Sequence, residues 1–424
     1  MRGGLPTVLL AAIAASVILQ PTATASAPAL PMGGPSPQAT NTSSEDEAID
    51  YHGWSSARDF AAGERDGVRP EAKGMRLHGD PAGTGNGYEY GTWTSPVHEP
   101  GFDASELISS WNARTPEGTW LKVQAQARTA GGADTSWYTL GKWAYGDGDI
   151  ERTSVRGQSD EHAAVHTDTL SAADGVAFRA YRLRVTLYRE AGTDASPVVT
   201  QVGAMTSDVP ERFEPELTQP GEAAGVELDV PAYAQNVHRG NYPEYGGGGQ
   251  AWCSPTSTTM VAEYWGAKPT DEQLSWLPAD YPDKSVAHAA RHTYDYAYEG
   301  TGNWPFNTAY ASQYGLKGHV TRLHSLAELE SHIARGTPVI TSQSFLEKEL
   351  DGAGYGTAGH LMVVVGFTAD GDVIANDPAS SSNDEVRRVY DREQFETIWQ
   401  RTKRYDADGE VAGGSGGVAY IIEG

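Results

Sequence analysis

Cys253 is the only cysteine in a chain of 424 residues, so no intramolecular disulfide can form and any thiol chemistry must happen there. It stands in the run Gln250-Ala251-Trp252-Cys253-Ser254-Pro255-Thr256-Ser257, with glycines before it and Ser, Pro and Thr after it. Those flanks predict a turn into a helix. Ser254 can cap, Pro255 suits the first helical position, and Met260, Val261, Tyr264 and Trp265 recur at helical spacing before Gly266. A thiol at a helix N-terminus meets unpaired N–H groups and the positive end of the macrodipole, which favour the thiolate. A cysteine taken alone is more often a small buried hydrophobe, but the flanking turn residues argue against that here.

A thiolate nucleophile needs an imidazole, and the chain offers one in a telling place. His360-Leu361-Met362-Val363-Val364-Val365-Gly366-Phe367 opens a β-branched strand with a histidine, and Val373-Ile374-Ala375-Asn376-Asp377-Pro378 ends a second strand with an aspartate. The turn Ala369-Asp370-Gly371-Asp372 between them predicts an antiparallel hairpin. His360 and Asp377 then fall at the same edge of the sheet, which is the placement an imidazole–carboxylate pair needs.

The elements that would carry these residues divide the chain. Arg2, the short apolar run Val8 to Leu19 and the small residues Ala23 to Ala27 predict a secretory signal over residues 1–27, and so an extracellular protein. Residues 28–50, rich in Pro, Gly, Ser and Thr, read as a disordered linker. Over residues 51–207, Leu121, Val123, Ala125 and Ala127 alternate with polar residues, as do Tyr181, Leu183, Val185 and Leu187. This pattern predicts an all-β sandwich or jelly roll. Most of its aromatics are expected to serve core or loop packing; Trp111, Trp120 and Trp143 are its candidate platforms for stacking on sugar rings, so a polysaccharide is a candidate partner. The Pro- and Glu-containing stretch 208–225 reads as a linker, and residues 226–424 as a second domain of mixed helix and strand. In it, a short strand is expected over 227–230, helices over 270–276, 284–298 and 325–335, and a strand over 338–343.

Composition excludes some partners. A formal net charge of −25 repels nucleic acid and anionic membrane surfaces, and no spanning apolar stretch follows the signal. An exported chain with one cysteine is unusual, because cysteines outside the cytoplasm mostly pair.

From about Leu228 onward the chain resembles the C39-like cysteine peptidases, a papain-like group with catalytic residues in the order Cys, His, Asp. The resemblance rests on Asp229-Val230-Pro231-Ala232-Tyr233-Ala234-Gln235, Trp252-Cys253-Ser254-Pro255-Thr256-Ser257, Gly359-His360 with its Val-rich strand, and Asn376-Asp377-Pro378. It covers the C-terminal half only. It implies a papain-like α+β domain, Cys253 as nucleophile, His360 as base and then acid, and Asp377 as the group orienting the imidazole. Gln235 matches the family's oxyanion-stabilising glutamine, and Gln250, three residues before Cys253, is its local rival. Ser254 departs from the glycine that often follows the cysteine. The implied substrate is a peptide or protein, with no cofactor and no metal. The same residues would serve a cell-wall peptide amidase or an acyltransferase, and a member without activity would be a surface or glycan-binding protein.

The other histidines form no site by sequence. His288 and His292 lie four apart on an expected helix, yet no HExxH pattern accompanies them. The Gly-rich run Asp351 to Gly359 lacks a P-loop lysine and reads as a mobile rim beside His360.

Overall fold

The structure, a computed structural model, describes residues 48–424; the expected signal and nearly all of the first linker lie outside the described residues. The last three linker residues do not. Ala48–Trp54 is a strand paired antiparallel with Val198–Asp208, from Ala48 opposite Asp208 to Trp54 opposite Val202. Ile49 and Tyr51 pack against the core of the C-terminal half, which gives this segment something to bury after all.

Two antiparallel sheets make up the N-terminal half. One runs Ala163–His166, Thr169–Ala172, Glu106–Arg114, Val198–Asp208, Gly74–Leu77, Val68–Glu71, with Ala48–Trp54 also on Val198–Asp208; the other runs Glu64–Asp66, Tyr88–Thr94, Phe178–Glu190, Thr119–Thr129, Tyr138–Trp143. Leu121, Val123, Ala125 and Ala127 are buried while their neighbours Lys122, Gln124 and Gln126 are half-buried, so the alternation marks one inner face. Leu183, Val185 and Leu187 meet it with Trp93, Trp111 and Val202 in a single core. Trp111 and Trp143 lie fully inside that core, which corrects their reading as sugar platforms. Trp120 alone of the three is half-buried, with its ring stacked on Tyr188 at 3.6 Å.

The C-terminal half is built on one antiparallel sheet, in the order Lys317–Arg322, Val418–Glu423, Val339–Phe345, Thr357–Phe367, Val373–Asn376, Arg387–Tyr390. Its two faces are covered differently. Ile340, Leu361, Val363, Val365 and Ile374 pack with Met260 and Val261 of the helix Cys253–Tyr264. Met362, Val364, Val373 and Ala375 pack on the other side with Leu329 and Ile333 of Leu326–Ala334 and Phe395, Ile398 and Trp399 of Arg392–Gln400. Ser325 caps the first of these helices through the N–H of Glu328, and Gly336 ends it with φ 85°, a conformation glycine adopts without penalty.

Three local expectations are corrected. Residues 227–230 form no strand: Leu228 donates to the Val365 carbonyl, and Glu227 only bridges Gly366, before Pro231 ends any ladder. Gly366 must be glycine for this approach, since a Cβ there would lie 2.3 Å from the Val226 carbonyl oxygen. Residues 270–276 are turns, cut short by Pro278, and the helix Lys284–Thr293 stops five residues early. Asp295 explains the stop: its Oδ1 accepts from the backbone N–H groups of Ala297 and Tyr298 and from Ser154 of the other half.

The linker 208–225 is not loose. The Thr218 N–H and hydroxyl bind the Glu396 carboxylate, and the Gly221 and Ala223 N–H groups bind Glu330, itself paired with Arg392 at 2.7 Å. The segment is thereby strapped across two helices. The halves also share a core: Phe306, Ala309 and Tyr310 of the helix Trp304–Ser312 belong to the same cluster as Trp111 and Trp143. Asn112 completes the contact by exchanging two hydrogen bonds with the backbone of Gly318, at 2.6 and 2.8 Å.

Candidate active site

Cys253 is the first residue of the helix Cys253–Tyr264 and is half-buried. Trp252, not Ser254, occupies the cap position, without a side-chain cap bond, and the Ser254 hydroxyl pairs instead with the Tyr420 hydroxyl at 2.9 Å. The turn before the helix is made by close backbone approach. Gly248 has φ 109°, and a Cβ on Gly249 would lie 2.4 Å from the His238 carbonyl carbon, so the glycine run lets the turn Gln235–His238 press against the approach to Cys253. The Trp252 indole, fully buried, donates to the Tyr245 carbonyl and anchors the helix start.

His360 and Asp377 come from adjacent strands. Val363 lies opposite Asn376, so His360, toward the start of one strand, and Asp377, just past the end of the other, share a sheet edge. The His360 Nε2 lies 2.8 Å from Asp377 Oδ1, with both side chains buried at 4% and 1% exposure. His360 is also electrostatically coupled to Cys253, and with Nε2 engaged on Asp377 it is Nδ1 that is left to serve the thiol. The carboxylate is saturated: Oδ1 also accepts from the Ala379 N–H, and Oδ2 accepts from the hydroxyls of Tyr355 at 2.8 Å and Tyr390 at 2.7 Å.

The charges follow from these contacts. Burial opposes every ion here, and specific partners overcome it. Burial pushes the Cys253 thiol up, but the His360 hydrogen bond and charge, with the N–H groups of Leu361 and Ser254, hold it below its ordinary value. Burial pulls His360 down, but the Asp377 charge and hydrogen bond, and Cys253, raise it to about 10. Burial raises Asp377, while His360, Tyr390 and the Ala379 N–H bring it below the ordinary carboxylate value. The three form a coupled set, and each shift favours the charged form: thiolate, imidazolium and carboxylate.

The two glutamines part company. Gln235 is buried, donates its backbone N–H to the Pro378 carbonyl, and donates its side-chain amide to the Gln250 carbonyl at 2.7 Å. The Gln250 side chain is exposed and spent on the glycine loop, donating to Gly247 and accepting from Gly240. The insertion between them folds into a loop that returns to Gln235, so a long separation in sequence closes to one hydrogen bond. Sequence reasoning missed Tyr355 and Tyr390. A tyrosine set among glycines in the rim was the only visible sign of the first, and nothing marked the second.

His288 and His292 sit in a buried cluster with Tyr145, whose hydroxyl lies 2.8 Å from His288 Nε2. Among the described residues no group of three His, Cys, Asp or Glu side chains is placed to hold a metal ion.

Two family models match the chain. Residues 50–207 match a peptidase C39 N-terminal domain, and residues 227–407 match the Peptidase_C39 like family. No curated protein matches. Among solved structures, one described as a C39-like peptidase from Bacillus anthracis is 19% identical, covering 47% of this chain and 97% of its own, with a TM-score of 0.29.

Proposed function

We propose, for a chain whose residues 227–407 belong to the C39-like peptidase family, a cysteine peptidase or amide hydrolase that works through Cys253, His360 and Asp377 in a papain-like arrangement. The observation that carries this reading is the imidazole of His360, bonded through Nε2 to a saturated buried carboxylate and coupled in charge to a thiol at a helix N-terminus.

The Cys253 thiolate attacks the carbonyl carbon of the scissile amide, forming an S–C bond while the C=O electrons move to oxygen. The oxyanion is met by the Cys253 N–H and the Gln235 amide, each contributing about 2.7–4 kcal/mol. Imidazolium His360 gives its proton to the leaving amine, the C–N bond breaks, and a thioester remains. Neutral His360 then takes a proton from water, whose oxygen attacks the thioester and releases the acid and the thiolate. Asp377 keeps the imidazole oriented and stabilises its charged form throughout. Gln235 fits the oxyanion role better than Gln250, because its side chain is buried and reaches the Gln250 carbonyl, three residues before Cys253, while the Gln250 side chain is exposed and committed to the loop. The substrate is a peptide or protein met outside the cell. A polysaccharide contact is not needed for this reading.

The test is the pH dependence of Cys253 alkylation by iodoacetamide in the wild type and in His360→Ala. Fast reaction of the wild type near pH 6, lost in the variant, is expected. Alkylation in both like an ordinary thiol of pKa about 8.5 sinks the proposal.

A further inference from the structure

Tyr355 lies in the stretch Gly352-Ala353-Gly354-Tyr355-Gly356, of which it is the only residue with a polar side chain. The stretch is mostly exposed, and Gly352 and Gly354 have φ of 86° and 76°, so nothing in its own backbone prefers one shape. Its stem is held firmly. Glu349 pairs with Arg401 at 2.7 Å and accepts from the Leu346 N–H, and Asp351 exchanges bonds with Gln394. Beyond the stem, Tyr355 dips inward. Its ring stands edge-on to His360 at 5.5 Å and tilts on Phe345 at 5.3 Å, and its hydroxyl ends on Asp377 Oδ2 at 2.8 Å. Tyr390 reaches the same oxygen from the strand Arg387–Tyr390, fully buried and attached to no loop.

We propose that Tyr355 is a positioning residue that tethers the rim loop 351–356 to the triad carboxylate, so that the seating of the loop and the charge on Asp377 depend on each other. The inference rests on the reading of Asp377 as the third member of the catalytic set. A hydroxyl bond to an ionised carboxylate is about twice as strong as one between neutral groups, so the loop is held most firmly when Asp377 carries its charge. Coupling of this kind is reciprocal. A loop that lifts removes a donor from Asp377 and admits water over His360, which raises the local dielectric and weakens the hold of the carboxylate on the imidazolium. Tyr355 thereby links substrate entry along the rim to the charge state of the reacting pair, without touching the thiol.

The experiment is amide hydrogen exchange over 351–356 in the full chain, with Cys253 alkylation against pH measured alongside. In Tyr355→Phe the loop amides exchange about tenfold faster or more, and the pH of half-maximal alkylation rises. Tyr390→Phe removes the same kind of bond and leaves loop exchange at the wild-type rate. Asp377→Asn, which leaves only a weaker neutral bond to the hydroxyl, accelerates the loop in the same direction but by less, and adding it to Tyr355→Phe brings nothing further. Loop exchange unchanged in either Tyr355→Phe or Asp377→Asn overturns the proposal. A wild type that alkylates like an ordinary thiol while still showing loop coupling overturns the peptidase reading and leaves the tether standing, so the two failures are distinguishable.

Discussion

Replacing Asp377 by asparagine isolates the charge of the carboxylate from its shape. In the native site one oxygen serves His360 and the Ala379 N–H, and the other serves two tyrosine hydroxyls. Asparagine has one orientation that fits: its oxygen must face His360 and Ala379, because both are donors, and its NH2 must face the tyrosines, which can turn to accept. The imidazole tautomer and the path to Cys253 are therefore kept, and only the charge is lost. That charge is the largest influence raising His360 to about 10 against its burial. Without it we expect the imidazolium to lose about two pH units of stabilisation or more, equivalent to about 3 kcal/mol, since only Cys253 is then left to oppose burial. The thiolate loses its partner by the same amount. The assay is the ultraviolet absorbance of the thiolate against pH, paired with iodoacetamide alkylation. At neutral pH Asp377→Asn should hold a clearly smaller thiolate fraction than the wild type, with reactivity recovered only toward an ordinary thiol pKa. A variant that keeps wild-type thiolate at neutral pH refutes the reasoning, because it means the carboxylate charge does not hold the pair. Asp377→Ala is uninformative: it strands four buried donors and threatens folding itself.

Other outcomes follow from the same geometry. Gln235→Ala should lower the rate of amide hydrolysis about 10²–10³-fold while leaving the pH profile of alkylation in place, since the oxyanion donor acts after the thiolate has formed; a shifted profile counts against that role. Asn112→Ala strands the N–H and C=O of buried Gly318 at about 1–3 kcal/mol each, and calorimetry should show a melting temperature lower by about 3–8 °C. The pH dependence of stability has two edges. Asp377, depressed when folded, contributes above its unfolded value of 3.8 and loses that contribution as pH falls through the depressed one. His360, raised when folded, contributes fully below 6.5 and loses it as pH rises through about 10. Melting temperatures of the wild type should fall at both edges, and His360→Ala should flatten the alkaline one.

What could be read from the chain, and what could not, has physical causes. The alternation at Leu121 to Ala127 and the Val-rich run after His360 are strong periodic patterns of well-buried strands, and the structure has strands at both. That His360 and Asp377 share an edge followed from a short turn between two such strands. Helices over 270–276 and beyond Thr293 were misread because apolar spacing said nothing of Pro278, or of the Asp295 side chain that takes backbone N–H groups for itself. Trp111 and Trp143 were misplaced because a tryptophan on a strand looks alike whether its ring faces a core or a ligand. Tyr355 and Tyr390 were invisible for a related reason: two hydroxyls from a loop and a distant strand converge on one oxygen only after the sheet has formed. The linker over 208–225 looked loose because its anchors, Glu330, Glu396 and Arg392, lie more than a hundred residues away.

The helix Trp304–Ser312, seated between the two halves, changes what a domain boundary means in this chain. Phe306 fills space beside Trp111 and Trp143, and the ring is so close to Gly141 that a methyl group there would meet it at 3.0 Å. Cutting the chain between the segments matched by two separate families would open a single apolar interior to water on both cut surfaces. A calorimetric trace of the intact chain should then hold one transition, and the C-terminal half made alone should be a poorly soluble fragment. The N-terminal sheets are thus part of the foundation on which the cysteine helix and its sheet are laid.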